Sequence, residues 1–177
     1  MRTRVRGILI ECVTGDIVRQ SDMDAIVNAA NAWLRPGGGV AGAIHHAAGD
    51  ELERETQPLA PIEPGQAVLT HGHRLPNRFV IHCLGPVYGR DKPSDRLLAD
   101  CYRNALARAE EAGILSIAFP AISTGAFGYP AEPAAQVALS TVVHATPQLE
   151  SIRHIRFVLH REEDLALYQR ILSELTE

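Results

Sequence analysis

The sequence predicts an α/β domain in which helices cover both faces of a mixed, largely parallel sheet. Short β-branched apolar runs alternate with segments of helical periodicity along most of the chain. The run Ala25-Ile26-Val27 is apolar without a break, as in a strand covered from both sides. Composition agrees: 46% hydrophobic and 21% charged residues in a chain of 177 is ordinary for a globular fold and sufficient for one sizeable core. No repeat, linker or low-complexity stretch divides the chain, so residues 1–177 read as one domain.

Ile8 to Val13 forms a first strand, ended by Thr14-Gly15-Asp16, and Ala25 to Asn28 forms a second. Pro36-Gly37-Gly38-Gly39-Val40-Ala41-Gly42 then leads into Ala43 to Ala48, small apolar residues that start a helix, which Gly49 ends or interrupts. Pro58, Pro61, Pro64 and Gly65 mark a loop. Ala67 to Thr70 and Phe79 to Cys83 are further strands joined through Leu75-Pro76-Asn77-Arg78, and Gly85-Pro86 stops the second of them. Ser94 is placed to cap a helix running to Ala112, with Gly113 just past its end. Leu97, Leu98, Cys101, Ala105, Ala109 and Ala112 recur on one face of it. Ser116 to Phe119 is the next strand, ended by Pro120. Pro130 and Pro133 suit the first turn of another helix, whose inner stripe is Ala134, Val137, Ala138, Thr141, Val142 and Ala145. Ile155 to Leu159 is the last strand, and Glu162, Glu163 and Asp164 complement the dipole at the start of the last helix.

A formal net charge of -4 excludes a protein held to nucleic acid by a broadly basic surface. Cys12, Cys83 and Cys101 make an odd set with no close pair, which reads as buried reduced thiols rather than a disulfide framework. Glu11 breaks the first apolar run too soon for a signal sequence. No stretch approaches the about 20 apolar residues of a membrane span. The expectation is a cytoplasmic monomer with no membrane attachment.

Two glycine-rich loops carry the chemistry. Gly37 to Gly42 formally matches the dinucleotide pattern G-x-G-x-x-G, but the nearest strand ends several residues earlier, at Asn28, which disfavours a Rossmann unit. The physics of the loop is independent of that fold. Three successive glycines clear side chains from backbone N–H groups, and a helix that follows adds positive partial charge, so an anion is favoured. The second loop, Ser123-Thr124-Gly125-Ala126-Phe127-Gly128-Tyr129-Pro130, follows a strand and precedes a helix, where ligands of open α/β sheets bind. Two such loops suit two phosphates, or a diphosphate held from both sides. Asp16, beside Ile17, is placed to accept from an adenine amine, and Asn28 and Asn31 offer amides for ribose hydroxyls.

Asp16, the run Ala25 to Asn31, the run Gly37 to Gly42, the segment His82 to Tyr88 and the run Ser123 to Pro130 together resemble the macrodomain family in order and spacing, over nearly the whole chain. The resemblance implies a three-layer α/β/α sandwich around a central mixed sheet, binding ADP-ribose or ADP-ribosylated macromolecules without a cofactor or metal. It places Asp16 and Ile17 at the adenine and Asn31 near the distal ribose. Gly37, Gly38, Gly39, Val40 and Ala41 lie on one side of the diphosphate, with Ser123, Thr124, Gly125, Ala126, Phe127 and Gly128 on the other. His160 or Arg161 falls near the adenine face. In the best-known mono-ADP-ribosyl hydrolases of the family an aspartate stands where this chain has Ala41, and there it helps activate water. Gly39-Val40-Ala41-Gly42 resembles other members, several of them hydrolases. The paired glutamates of poly(ADP-ribose) glycohydrolases are not reproduced by Glu51, Glu53 and Glu55.

The resemblance therefore implies removal of ADP-ribose from modified substrates or from O-acetyl-ADP-ribose, with the ligand's phosphate orienting the water. The alternatives are an ADP-ribose 1″-phosphate phosphatase or a non-catalytic reader. Asn31, Gly39 and His45 are the catalytic candidates, His45 being taken from the pair His45-His46 after the glycine loop. His82, in an apolar strand, reads as a hydrogen-bonded core residue. His71, His73, His144 and His154 read as surface or partly satisfied histidines, and Trp33 as packing.

Overall fold

The computed structural model describes residues 2–177. Its strands are β1 (Arg2–Val5), β2 (Ile8–Thr14), β3 (Ala25–Ala29), β4 (Ala67–His71), β5 (Phe79–Cys83), β6 (Ser116–Phe119) and β7 (His154–Leu159). Its α-helices are α1 (Gly39–Ala48), α2 (Asp50–Thr56), α3 (Ser94–Glu111), α4 (Ala131–Ala145) and α5 (Glu162–Thr176). The strands form one seven-stranded sheet in the order β1-β2-β7-β6-β3-β5-β4. The inner pairs β2–β7, β7–β6, β6–β3 and β3–β5 are parallel, and the outer strands β1 and β4 pair antiparallel. Antiparallel edges on a parallel centre are the mixed sheet that the sequence predicts.

Strand residues alternate between two faces, and the packing follows that period of two. Ala25, Val27, Ile117, Phe119, Ile155 and Phe157 point to one face, where buried residues of α3, α4 and α5 cover them. Ile26, Val80, Ala118 and Val158 point to the other, under Ile44, Ala48 and Leu52 of α1 and α2. The result is three layers.

The second layer is short, and over β2 and β7 charged groups replace it. Arg156 on β7 donates to Glu11 on β2 at 2.8 Å and to both oxygens of Asp22 at 2.7 and 2.8 Å. Hydrogen bonding from Arg156 holds the Asp22 carboxyl down at about 2. Burial pushes the Glu11 carboxyl up, but Arg156 and His154 outweigh it and leave Glu11 below its ordinary value.

Three local readings change, at the N-terminal strand and at the starts of α1 and α3, and the role of Gly49 is resolved. Met1 to Gly7 was not expected to be a strand, yet Arg2–Val5 pairs with β2 through a turn at Arg6 (φ 50) and Gly7 (φ 82). Two successive positive φ values are the twist-matched geometry of a two-residue hairpin. Gly49 (φ 86) both ends α1 and precedes a further helix, α2, whose first turn carries Asp50, Glu51 and Glu53. Helix α1 begins at Gly39 rather than Ala43, which puts its first turn inside the glycine run. Pro93, not Ser94, occupies the cap position of α3, because the Ser94 hydroxyl donates to the Asp91 carbonyl at 2.6 Å. Cys12, Cys83 and Cys101 are free and buried. Burial pushes the Cys12 and Cys101 thiols up to about 12 and raises the Cys83 thiol well above its ordinary value, so all three stay protonated. Among the described residues no helix is long and apolar enough to cross a membrane.

Candidate ligand cleft

Strands β2, β3, β5, β6 and β7 run parallel, so their carboxyl ends share one edge of the sheet. The segments leaving that edge line a cleft of about 830 Å³. Gly15 and Ile17 follow β2, Ala30 and Asn31 follow β3, Gly85 follows β5, Pro120 to Phe127 follow β6, and His160 and Arg161 follow β7. This is the position at which open α/β sheets bind ligands, and the volume lies within the range of small-molecule sites.

One wall is Gly37, Gly38, Gly39, Val40 and Ala41. The cap of α1 is Gly38, and no side chain bonds to the helix N-terminus. The first N–H groups of a helix have no partner within it, so those of Gly39, Val40 and Ala41 are available to a ligand together with the positive end of the helix dipole. A Cβ added at Gly38 or Gly39 would meet nothing within 4 Å, which shows how fully these backbones face open space. Gly42 is different: a Cβ there would stand 2.1 Å from the Gly37 carbonyl oxygen, so its hydrogen allows the loop to fold back on the helix.

The opposite wall is Ser123 to Phe127. Ser123 adopts φ 69, uncommon for a residue with a side chain. Its hydroxyl donates to the Pro86 carbonyl at 2.9 Å, and its carbonyl accepts from Tyr129 N–H at 2.9 Å. Gly128 N–H closes the inner turn on the Gly125 carbonyl at 3.0 Å, and Tyr88 N–H bonds the Phe127 carbonyl at 2.9 Å. Among the described residues the N–H groups of Thr124 to Phe127 have no backbone acceptor, and they belong to the cleft wall. The sequence reading missed Gly85, taken only as a strand stop. A Cβ there would stand 2.1 Å from Ser123 Oγ, so its lack of a side chain lets this wall sit where it does. The Gly-Pro pair after an apolar strand was the available signal.

Not every expected residue faces the cleft. Ile17, Asn31 and His160 do, as does Arg161, which ion-pairs with Asp164 at 3.2 Å. Asn31 also braces its own loop: Nδ2 donates to the Arg35 carbonyl at 2.7 Å, and Oδ1 accepts from Arg35 N–H at 3.1 Å. Asp16 is exposed beside the lining residue Ile17, with Oδ1 accepting from Val18 N–H at 3.1 Å. Gly128 (φ 74) shapes its turn from outside.

Asn28 and His45 turn away from the cleft. Asn28 shares the face of Ile26 and points under α1, fully buried, with Nδ2 3.1 Å from His82 Nδ1. His82 Nε2 stands 2.9 Å from Thr70 Oγ1, so the histidine is hydrogen-bonded at both nitrogens within the core, and burial pushes it down to about 3. His45 occupies the inner face of α1 with its ring 6.4 Å from that of His82, and burial lowers it too. Among the described residues no imidazole or carboxylate lines the glycine walls; the ionisable lining groups His160, Arg161 and Asp164 lie at or after the end of β7. Trp33 does not pack inside but is 57% exposed.

The family model described as Macro domain matches residues 27–138. A protein named O-acetyl-ADP-ribose deacetylase from Cronobacter turicensis is 44% identical, the match covering 95% of this chain and 98% of that protein. One named ADP-ribose glycohydrolase MACROD2 from Xenopus laevis is 45% identical over 97% of this chain and 42% of its own length. A solved structure of an Oceanobacillus iheyensis macrodomain mutant with ADPR superposes with a TM-score of 0.94 at 39% identity, covering 99% of this chain and 97% of that one. Cleft, sheet order and relatives agree, and the chain belongs to the Macro domain family.

Proposed function

We propose that the protein binds ADP-ribose and hydrolyses it from ester linkages, on O-acetyl-ADP-ribose or on modified carboxylate side chains. The observation that carries this reading is the pair of opposed backbone walls, one an uncapped helix N-terminus and the other a strained serine loop, at the carboxyl edge of the sheet. Such walls bind a diphosphate without a basic side chain. The name O-acetyl-ADP-ribose deacetylase supports the ester chemistry, and the name ADP-ribose glycohydrolase supports hydrolysis at the distal ribose. Ile17, His160 and Arg161 take the adenosine end, and Asn31, Gly39 and Phe127 the distal ribose.

With no titratable side chain at the glycine walls, the rate enhancement rests on positioning. The walls bend the diphosphate so that its own oxygen orients a water at the anomeric carbon, while Asn31 holds the distal ribose with the second Nδ2 hydrogen and the second Oδ1 lone pair left over from Arg35. For a carboxylate side chain joined through the anomeric oxygen, water adds at that carbon, its C–O bond to the carboxylate breaks, and ADP-ribose and the free carboxylic acid leave. On O-acetyl-ADP-ribose, whose acetyl sits on a ring hydroxyl, the oriented water adds instead to the acetyl carbonyl carbon, the acyl C–O bond breaks, and ADP-ribose and acetic acid leave.

Calorimetry with ADP-ribose and turnover of both ester substrates test this together. Binding with turnover is the expected result. Binding without turnover removes the ester hydrolase and leaves the reader, which Ala41 favours, and the phosphatase, which turnover of ADP-ribose 1″-phosphate separates; absence of binding removes all three.

A further inference from the structure

The loop that carries Asn31 hangs on one side chain. From Asn31 to Gly39 every residue is exposed or half-buried except Leu34, which is fully buried. Leu34 fills a small core with Ala30, Ile62 and Leu84, separate from the two larger ones, and Phe127 of the opposite wall packs against it. It does so at φ 56, a conformation that leucine rarely adopts. A strained residue of this kind persists only where its surroundings hold it. Two ties do so. Ile62 N–H donates to the Ala32 carbonyl at 2.8 Å. Thr56, fully buried at the end of α2, places Oγ1 2.9 Å from the Leu34 carbonyl oxygen.

The Thr56 hydroxyl has one hydrogen and a second acceptor in reach, the Glu53 carbonyl at 3.1 Å. Glu53 already receives Gln57 N–H, whereas among the described residues no backbone N–H is bonded to the Leu34 carbonyl. A buried carbonyl left unmet is the costlier omission, so the hydrogen goes to Leu34. Leu34 N–H in turn donates to the Asn31 carbonyl at 3.1 Å, and the next residue, Arg35, holds both ends of the Asn31 amide. A Cβ at Gly37 would stand 3.4 Å from Asn31 Nδ2, so the amide lies against the start of the glycine wall. A shift of Leu34 therefore carries Arg35 and the amide with it. Neither Thr56 nor Leu34 lines the cleft. We propose that Thr56 is a positioning residue for the reaction, whose hydroxyl, through Leu34, fixes the Asn31 amide at the distal ribose. The inference rests on the reading of the cleft in which Asn31 holds that sugar. A hydroxyl that only satisfied the end of α2 would leave the ligand's distal end untouched.

The test compares Thr56→Val, which removes the donor, with Thr56→Ser, which keeps it, in the full chain. ADP, which lacks the distal ribose, is the control ligand for ADP-ribose. In Thr56→Val ester turnover is expected to fall about tenfold, since a fraction of an ångström of misplacement is enough for that. The ratio of ADP-ribose to ADP affinity falls with it, while ADP affinity holds. Thr56→Ser restores both. Trp33, the single tryptophan of the chain, adjoins Leu34. Its fluorescence anisotropy with ADP bound should drop in Thr56→Val and recover in Thr56→Ser. In an Asn31→Ala background Thr56→Val should add nothing. Unchanged turnover and ratio overturn the proposal. So does an equal loss for ADP and ADP-ribose, which marks damage to the whole cleft, or a full further loss on top of Asn31→Ala. Should Thr56→Val not fold, Thr56→Ala carries the same expectations, and failure of both to fold makes the hydroxyl purely structural and overturns the proposal. Asn31→Ala without effect on the ratio overturns the reading of Asn31 itself, and the proposal with it. If the parent chain turns over neither ester, the hydrolase reading fails separately and the affinity ratio alone decides.

Discussion

The two walls of the cleft reach one end by opposite means. The Gly37 to Ala41 wall is made by removal: no side chain caps α1, and its glycines face open space. The Ser123 to Phe127 wall is made by bracing: Ser123, at positive φ, is pinned by its hydroxyl bond to Pro86 and by the backbone bond from Tyr129, and Phe127 by the backbone bond from Tyr88. Their supports differ as well. Helix α1 rests on a layer containing the polar side chains of His45, His82 and Asn28, whereas α4, beyond the second wall, packs into the large apolar core. A backbone anion site thus needs either absent side chains or an external clamp, and each strategy fails in its own way.

The largest effect is expected from Gly42→Ala. The new methyl would stand 2.1 Å from the Gly37 carbonyl oxygen, and backbone on both sides leaves no flexible atom to give way. Displacing the wall by about an ångström costs on the order of 100-fold in turnover. A turnover assay should show that loss, and ADP-ribose titration a weaker binding, while the circular dichroism spectrum is retained.

Gly85→Ala attacks the braced wall instead. Its methyl would meet the Ser123 hydroxyl at 2.1 Å, a side chain that can rotate at the expense of its bond to Pro86. Overpacking of this kind costs about 1–3 kcal/mol, and a loss of affinity of about tenfold is expected. Adding Ser123→Ala removes the clashing oxygen, so the double variant should bind better than the sum of the single losses predicts. Strict additivity in calorimetry would refute the contact.

Acid separates the two supports. His82 sits at about 3 in the folded protein against 6.5 unfolded, and His45 is lowered as well. Below pH about 6.5 the unfolded chain takes up protons that the folded core refuses. The stability from neutral His82 is therefore complete above that pH and is lost as pH falls toward 3, by at most about 1.4 kcal/mol per unit for each imidazole. Urea unfolding from pH 7 to pH 5 should show the decline, with a shallower slope in His82→Gln. Hydrogen exchange should report earlier opening in α1 and α2 than in α3 and α4.

The smallest effect on the free protein belongs to Gly38→Ala. Gly38 has φ -86, which any residue adopts, and open space where a Cβ would go. Stability should hold or rise by about 0.5 kcal/mol through the unfolded chain. Any loss of ADP-ribose affinity then measures direct contact with ligand. A fall in melting temperature would contradict the unbraced description of this wall.

Much of this was legible in the sequence, because strands and helices announce themselves by local periods of 2 and 3.6 and glycine runs by their own geometry. Six of the seven strands and both walls were read this way. The readings that changed depended on partners distant in the chain. Strand β1 needed β2 beside it to turn an Arg-rich alternation into an edge. Gly85 acquired its role from Ser123, and Trp33 became exposed because Leu34, not the indole, fills the small core.

The residues Asn28 and Asn31 divide what sequence alone determined from what tertiary structure decided. Chain order set two amides ahead of the glycine run, and nothing local distinguished them. Asn28 is still within β3, where the pleat directs it under α1 to His82. Asn31 lies past the strand end, where the chain opens onto the cleft. Residue type and spacing determined which backbones form the two walls of the cleft. Only the assembled sheet, by deciding which side chains lie on the covered face and which pass its edge, selected the groups that reach a ligand.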